Sequence, residues 1–169
     1  MLPNPSTRAF VLMGVSGCGK SSVGQLLANE LGWRFADADA YHPNANVNKM
    51  REGLALNDDD RAPWLNRLNA VLKHSVAKQD PIVLACSALK QRYRDALSNQ
   101  LESIAFVHLS GSYDLIESRM KLRAGHYMPP SLLRSQFAAL EPPSGVLTLD
   151  INQPIQSLVT QIMAYVKIH

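Results

Sequence analysis

Near the start of the chain, Gly14-Val15-Ser16-Gly17-Cys18-Gly19-Lys20-Ser21 satisfies the pattern G-x-x-x-x-G-K-[ST] in full. An apolar run, Ala9–Met13, precedes it and a helical pattern follows, which is the context this pattern needs. Its glycines let the backbone curl so that successive N–H groups point inward at phosphate oxygens. A helix opening at Lys20 adds the positive end of its dipole. In such a loop, Lys20 reaches the β- and γ-phosphates of a nucleotide and the Ser21 hydroxyl ligates Mg²⁺. Cys18 has two readings: a thiol acidified by Lys20, or, more plainly, a small loop residue.

Asp37-Ala38-Asp39 follows the second strand-like run. On an extended backbone a period of two puts both carboxylates on one side. Phosphoryl transfer to an alcohol needs a Mg²⁺ anchor and a group that accepts the hydroxyl proton. Asp37 would serve as the anchor and Asp39 as the orienting acceptor. The alternative is a solvated acidic turn or a helix cap. A switch GTPase is excluded, because the only N-K-x-D candidate, Asn48-Lys49-Met50-Arg51, ends in Arg and no D-x-x-G follows. Small-molecule kinases and non-catalytic nucleotide binders remain.

The elements that must position these groups alternate. Ala9–Met13, Trp33–Ala36, Ile82–Cys86, Ile104–Leu109 and Val146–Leu149 read as five strands. Helical patterns cover Lys20–Leu31, with Gly32 as its stop, then a long helix beginning at Asp60 as cap with Pro63 in its first turn. Trp64, Leu65, Leu68, Val71, Leu72 and Val76 make that helix's buried face. Leu89–Leu97, Tyr113–Arg123, Ser131–Leu140 and Ile155–Ile168 complete the set. Strands alternating with helices predict an α/β three-layer fold around a five-stranded parallel sheet, with ligands at the strands' carboxyl ends. Tyr41–Asn57 and Ala124–Pro130 read as loops long enough to cover a site.

The 169 residues suit one domain, with 46% hydrophobic and 18% charged residues. A net charge of +3 gives no reason to invoke nucleic acid. No apolar run reaches the length of a membrane span, and Met1–Arg8 lacks the character of a signal peptide. The two cysteines make neither a disulfide framework nor a metal site. A cytoplasmic protein is expected.

Several blocks are similar to segments of gluconate kinases. They are Asp37-Ala38-Asp39-Ala40-Tyr41-His42-Pro43, Asn48-Lys49-Met50, Leu56-Asn57-Asp58-Asp59-Asp60-Arg61-Ala62-Pro63-Trp64-Leu65, Cys86-Ser87-Ala88-Leu89-Lys90, Tyr93-Arg94-Asp95, Gly125-His126 and Asp150-Ile151-Asn152-Gln153-Pro154. The resemblance runs from Phe10 to about Val166. It implies a P-loop fold of the nucleoside-monophosphate-kinase type with a lid at about 124–130 and an acceptor region at about 40–65. It also implies ATP, Mg²⁺, transfer to the 6-hydroxyl of D-gluconate, and a homodimer. Cys18 departs from the family's more common Ser, and Tyr127-Met128-Pro129-Pro130 is an unusual lid end. Cys86-Ser87-Ala88 differs from the Gly-rich turn of shikimate kinases. A kinase of another hydroxy acid such as shikimate, or a regulatory nucleotide binder, stays as the alternative.

Gluconate carries a carboxylate and several hydroxyls, so its site needs a cation and polar partners. His42, Lys49 and Arg61 lie in the acceptor region, and Lys90 stands near the sheet's carboxyl end; solvated surface charges are the alternative for the first three. Asp58–Asp60 suit acceptor contacts or a helix cap. Arg119 and Arg123, four residues apart on the helix entering the lid, are candidates to stabilise the transferring phosphoryl group; an exposed charged face is their alternative. Arg92 and Arg94 read as surface, and His74, His108 and His169 as structural or exposed. Asn152, Gln153 and Pro154 follow the last strand, where adenine could rest on backbone.

Overall fold

The computed structural model describes residues 6–123 and 130–167. The expected lid therefore lies outside the described residues, except for the backbone of Pro130. His126 and His169 lie outside them as well.

Five strands form one parallel sheet: β1 (Ala9–Met13), β2 (Arg34–Asp37), β3 (Ile82–Ala85), β4 (Ile104–Ser110) and β5 (Leu147–Asp150). Their order is β2-β3-β1-β4-β5. Ala9 pairs with Ile82 on one side and Ile104 on the other, so β1 is central. It is buried along its whole length because helices cover both faces. Phe10 and Leu12 pack with Leu27, Val107 and Leu158 on one face. Ala9, Val11 and Met13 pack with Leu68, Leu72 and Leu97 on the other. Truncating a buried leucine such as Leu12 to alanine would cost about 2–5 kcal/mol. The chain passes from β3 on one side of β1 to β4 on the other. That reversal opens a crevice at the carboxyl ends, where β1 runs into Gly14–Ser21.

Helices α1 (Lys20–Leu31) and α7 (Ile155–Lys167) pack together on one face, and α3 (Asp58–Ala77) and α4 (Gln91–Leu97) on the other. A 3₁₀ turn (Ala38–Tyr41) and α2 (Asn44–Arg51) link β2 to α3; α5 (Tyr113–Leu122) and α6 (Pro130–Ala139) link β4 to β5.

Four local expectations need correction. Tyr41–Asn57 is not all loop. It contains α2, which Pro43 precedes and whose buried Asn46 donates through Nδ2 to the Asp60 carbonyl at 2.9 Å. The cap of α3 is Asn57, not Asp60. Asn57 Oδ1 accepts from the Asp60 N–H at 2.8 Å while the Asp60 carboxylate accepts from the Asn57 N–H at 3.0 Å, a capping box. Pro63 consequently lies beyond the first turn, inside the helix. On the inner face of α3, Asn69 and Ser75 are buried, whereas Val71 and Val76 are only half-buried. Asn69 is tolerated there because its amide donates to the Leu97 and Asn99 carbonyls.

Candidate active site

The phosphate loop is held by its glycines. Gly14 has φ +147°, and a Cβ there would stand 2.7 Å from the Leu109 carbonyl oxygen. At Gly17, φ is +83° and a Cβ would meet Met120 Cγ at 2.8 Å. Gly14 N–H donates to the Ser87 carbonyl at 3.2 Å, which seats the loop on the turn after β3. That turn carries Ala88 in a left-handed conformation, φ 45°. Its carbonyl accepts from Arg94 Nη1 at 2.7 Å. Arg94 is thus a clamp and not a surface residue. It is only 3% exposed and also donates to the Leu89 and Glu141 carbonyls at 3.1 and 2.8 Å.

At its N-terminus α1 has no side-chain cap, since Gly19 occupies that position. Its leading N–H groups are left for an anion. Lys20 Nζ lies across the loop, donating to the Gly14 and Val15 carbonyls at 3.1 Å each. Ser16 N–H donates to Gln136 Oε1 of α6 at 3.1 Å. Cys18 is 1% exposed, and burial pushes its thiol up against the smaller opposing effect of Lys20. The small-residue reading of Cys18 therefore holds, and the acidified thiol does not.

Ser21 Oγ donates to Asp37 Oδ2 at 3.1 Å, so the loop and the end of β2 meet. The other Asp37 oxygen accepts from Asp39 N–H at 2.9 Å, making Asp37 the cap of the 3₁₀ turn. Asp39 is therefore on a helical turn and not on extended backbone as its spacing predicts. The two carboxylates are neighbours all the same. Asp39 is solvent-exposed; its carboxyl is raised, first by desolvation from the surrounding protein and then by the Asp37 charge, while His42 and Lys20 oppose. Serine hydroxyl and aspartate carboxylate are the hard oxygen donors that Mg²⁺ takes, beside phosphate oxygens. Among the described residues no cluster of three or more His, Cys, Asp or Glu forms an all-protein metal site.

On the other side of Asp39 the acceptor region assembles. His42 stacks on Trp64, ring centroids 4.2 Å apart and 14° between planes. Trp64 Nε1 donates to the Ala38 carbonyl at 2.8 Å. Partial burial lowers the His42 pKa, with Asp39 opposing and Arg61 adding to it. Lys49 pairs with Asp60 at 2.8 Å and Lys90 with Asp58 at 3.5 Å. Arg92 also binds Asp58, at 2.6 Å. The Tyr93 hydroxyl donates to Asp58, which holds that carboxylate below the usual range, with Lys90 and Arg92 assisting. Arg61 Nη1 donates to the Leu56 carbonyl at 2.7 Å and to Tyr93 Oη at 3.4 Å, and its guanidinium lies 5.6 Å from the Tyr93 ring centre.

Arg119 Nη2 donates to the Ile151 carbonyl at 2.7 Å. That ties the Arg119 side chain to the loop after β5, beside Asn152–Pro154, while Ile116 and Met120 of α5 pack against the phosphate loop at Gly17. The side chain of Arg123, just past α5, is exposed.

Known proteins are similar to this chain over most of its length. A probable gluconokinase from Rattus norvegicus is 51% identical over 153 residues, covering 80% of this chain and 83% of that protein. The thermoresistant gluconokinase of Escherichia coli (strain K12) is 40% identical over 97% of this chain and 96% of its own. The chain belongs to the gluconokinase family. The crystal structure of a gluconokinase from Sinorhizobium meliloti 1021 matches with a TM-score of 0.82 and 44% identity, covering 94% of this chain and 90% of that one. The shikimate kinase family model matches residues 16–133, which defines the broader group of P-loop kinases around the gluconokinases. The protein is accordingly a kinase.

Beside the family's motif residues, sequence reasoning missed three side chains of this gluconokinase site. Asn46 and Gln136 carried no signal, because each acts through a contact distant in sequence: Asp60 and Ser16 respectively. Tyr93 did carry one. It opens the Tyr93-Arg94-Asp95 block, but its hydroxyl becomes meaningful only once α4 brings it to Asp58.

Proposed function

We infer that this chain transfers the γ-phosphoryl group of ATP to the 6-hydroxyl of D-gluconate, giving 6-phospho-D-gluconate and ADP. The observation that carries this reading is the 3.1 Å bond from Ser21 to Asp37, with Asp39 on the adjoining turn. It brings phosphate-binding and proton-accepting groups to one floor. A protein that only binds nucleotide needs no such base.

Loop N–H groups and Lys20 hold the β- and γ-phosphates, Lys20 exchanging its loop carbonyls for phosphate oxygens. Ser21 and Asp37 would hold Mg²⁺, which supplies offsetting charge for the phosphates. Asp39 takes the proton as the gluconate oxygen bonds to phosphorus and the bond to the ADP oxygen breaks. Its raised pKa suits that task, since a base is most effective near working pH. Arg61, with Lys49, Lys90 and His42, faces the sugar acid's carboxylate and hydroxyls. Arg119, on α5 and tied to the loop after β5, serves the transferring phosphoryl group with Arg123, which leads into the lid at about 124–130. One domain, a homodimer and a cytoplasmic location complete the reading. They are supported by the family likeness; among the described residues no helix is long and apolar enough to cross a membrane.

The test is coupled ADP release with gluconate, other sugar acids, shikimate and no acceptor. Release that depends on gluconate is expected. Dependence on shikimate, or no acceptor-dependent release at all, would overturn the assignment in favour of a shikimate kinase or a regulatory binder. Sedimentation of the purified protein tests the dimer.

A further inference from the structure

Asn46 is 3% exposed in the first turn of α2. Its amide makes two contacts through the same nitrogen. Nδ2 donates to the Asp60 carbonyl at 2.9 Å and lies 3.2 Å from His42 Nδ1. A backbone carbonyl only accepts, so the nitrogen and not the oxygen of the amide must face Asp60. An amide NH₂ carries two hydrogens and no accepting lone pair. With one hydrogen on Asp60, the second points at His42, and Nδ1 must meet it with a lone pair. Neutral His42 then carries its proton on Nε2.

We propose that Asn46 is a positioning residue that locks His42 as the Nε2–H tautomer, so that His42 gives a hydrogen bond to an acceptor-substrate oxygen and cannot take a proton from one. The stack on Trp64 fixes the ring plane, and the Trp64 bond to the Ala38 carbonyl ties that plane to the turn bearing Asp39. This has a mechanistic consequence. Asp37, His42 and Lys20 all act on Asp39; of these His42 is the one on the acceptor side, and with Nε2 protonated it is barred as general base. The charged groups acting on the ring are Asp39 from the turn and Arg61 from α3. The inference rests on the acceptor reading of this cleft and extends it by assigning a donor to the sugar acid's oxygens.

The test begins with the wild-type enzyme. Nitrogen-15 NMR of the histidine rings at pH 7.5, with His42 assigned by its loss in His42→Gln, should show an acceptor-type Nδ1 and a protonated Nε2. A protonated Nδ1 overturns the role of Asn46. Gluconate turnover by the same wild-type sample is measured separately, and its absence overturns the substrate assignment instead. In Asn46→Asp, a carboxylate replaces the donor and calls for a proton on Nδ1. The spectrum should change, and gluconate kcat/KM should fall roughly 10-fold or more with KM for ATP unchanged. A spectrum that shows an acceptor-type Nε2 together with unaltered gluconate kcat/KM refutes the proposal. Two further variants keep it testable if Asn46→Asp does not fold. His42→Gln places an amide donor where Nε2 stood, and His42→Asn places one where Nδ1 stood. His42→Gln should exceed His42→Asn in gluconate kcat/KM by about 10-fold, the value of one hydrogen bond to a charged group. Equal values would count against a donor at Nε2.

Discussion

Replacing Arg61 by Met should separate acceptors that carry a carboxylate from those that do not. Of the cations on the acceptor side, three already hold carboxylates: Lys49 pairs with Asp60 at 2.8 Å, and Lys90 and Arg92 pair with Asp58 at 3.5 and 2.6 Å. A substrate carboxylate would compete with those partners. Arg61 forms no ion pair among the described residues. It spends Nη1 on Leu56 and Tyr93, keeping Nη2 and Nε for a ligand. The Leu56 bond and the Tyr93 ring also hold the side chain in place, so little rotamer entropy is lost on binding. A charged hydrogen bond contributes about 1.5–3 kcal/mol, which is roughly a 10- to 150-fold change in kcat/KM. Arg61→Met should lower gluconate kcat/KM by that factor. Sorbitol keeps the terminal hydroxyl but has no carboxylate, so its already poor rate should hardly change. The assay is coupled ADP release with both acceptors at saturating ATP, alongside thermal melting to register the lost Leu56 contact. Equal losses for both acceptors would show Arg61 to be scaffold; no loss for gluconate would place the carboxylate elsewhere.

Lys20→Ala should abolish turnover while circular dichroism and melting stay native-like, and near-normal activity in a folded variant would exclude this loop as the site. Asp39→Asn should lower kcat by orders of magnitude with ATP affinity almost unchanged, whereas Asp37→Asn should raise the Mg²⁺ requirement; identical Mg²⁺-dependent defects would refute the division of roles. Because the folded state raises Asp39's pKa, it binds that proton more tightly than the unfolded chain does. That stabilisation is present below the unfolded pKa and lost as pH rises through the folded one, so Asp39→Asn should melt higher than wild type at pH 7 and equally at low pH. Asn57→Ala removes one half of the capping box and should cost about 1 kcal/mol, a fall of roughly 2–4 °C in Tm, read by calorimetry.

The inner strands β1, β3 and β4 were legible because they are buried on both faces, and a chain that must bury Phe10-Val11-Leu12 on two sides can only be apolar there. The phosphate loop was legible because its geometry admits few residue types. The acceptor side was harder. Helix α2 is polar, its buried residue Asn46 reaches Asp60 of α3, and no local periodicity announces such a bond. Arg94 has the composition of a surface residue, yet four acceptors, the Ala88 and Leu89 carbonyls and the Gln91 side chain from the turn before it and the Glu141 carbonyl from across the fold, offset the cost of burying it. Asp37 and Asp39 came together for a reason other than strand period: the Asp37 side chain caps the turn that carries Asp39.

The packing of Cys18 also governs how this enzyme meets oxidants. Thiol oxidation and alkylation proceed through the thiolate. Burial disfavours that form at Cys18, and at Cys86, whose thiol is pushed up to about 12. A sulfur in the middle of a phosphate loop would be a weak point under peroxide if it faced the cleft. Wedged under Gly14 it is shielded, and modification must wait for the loop to open. Iodoacetamide capture of Cys18 therefore serves as a clock for that opening, one that bound nucleotide should slow and that needs no reporter added to the chain.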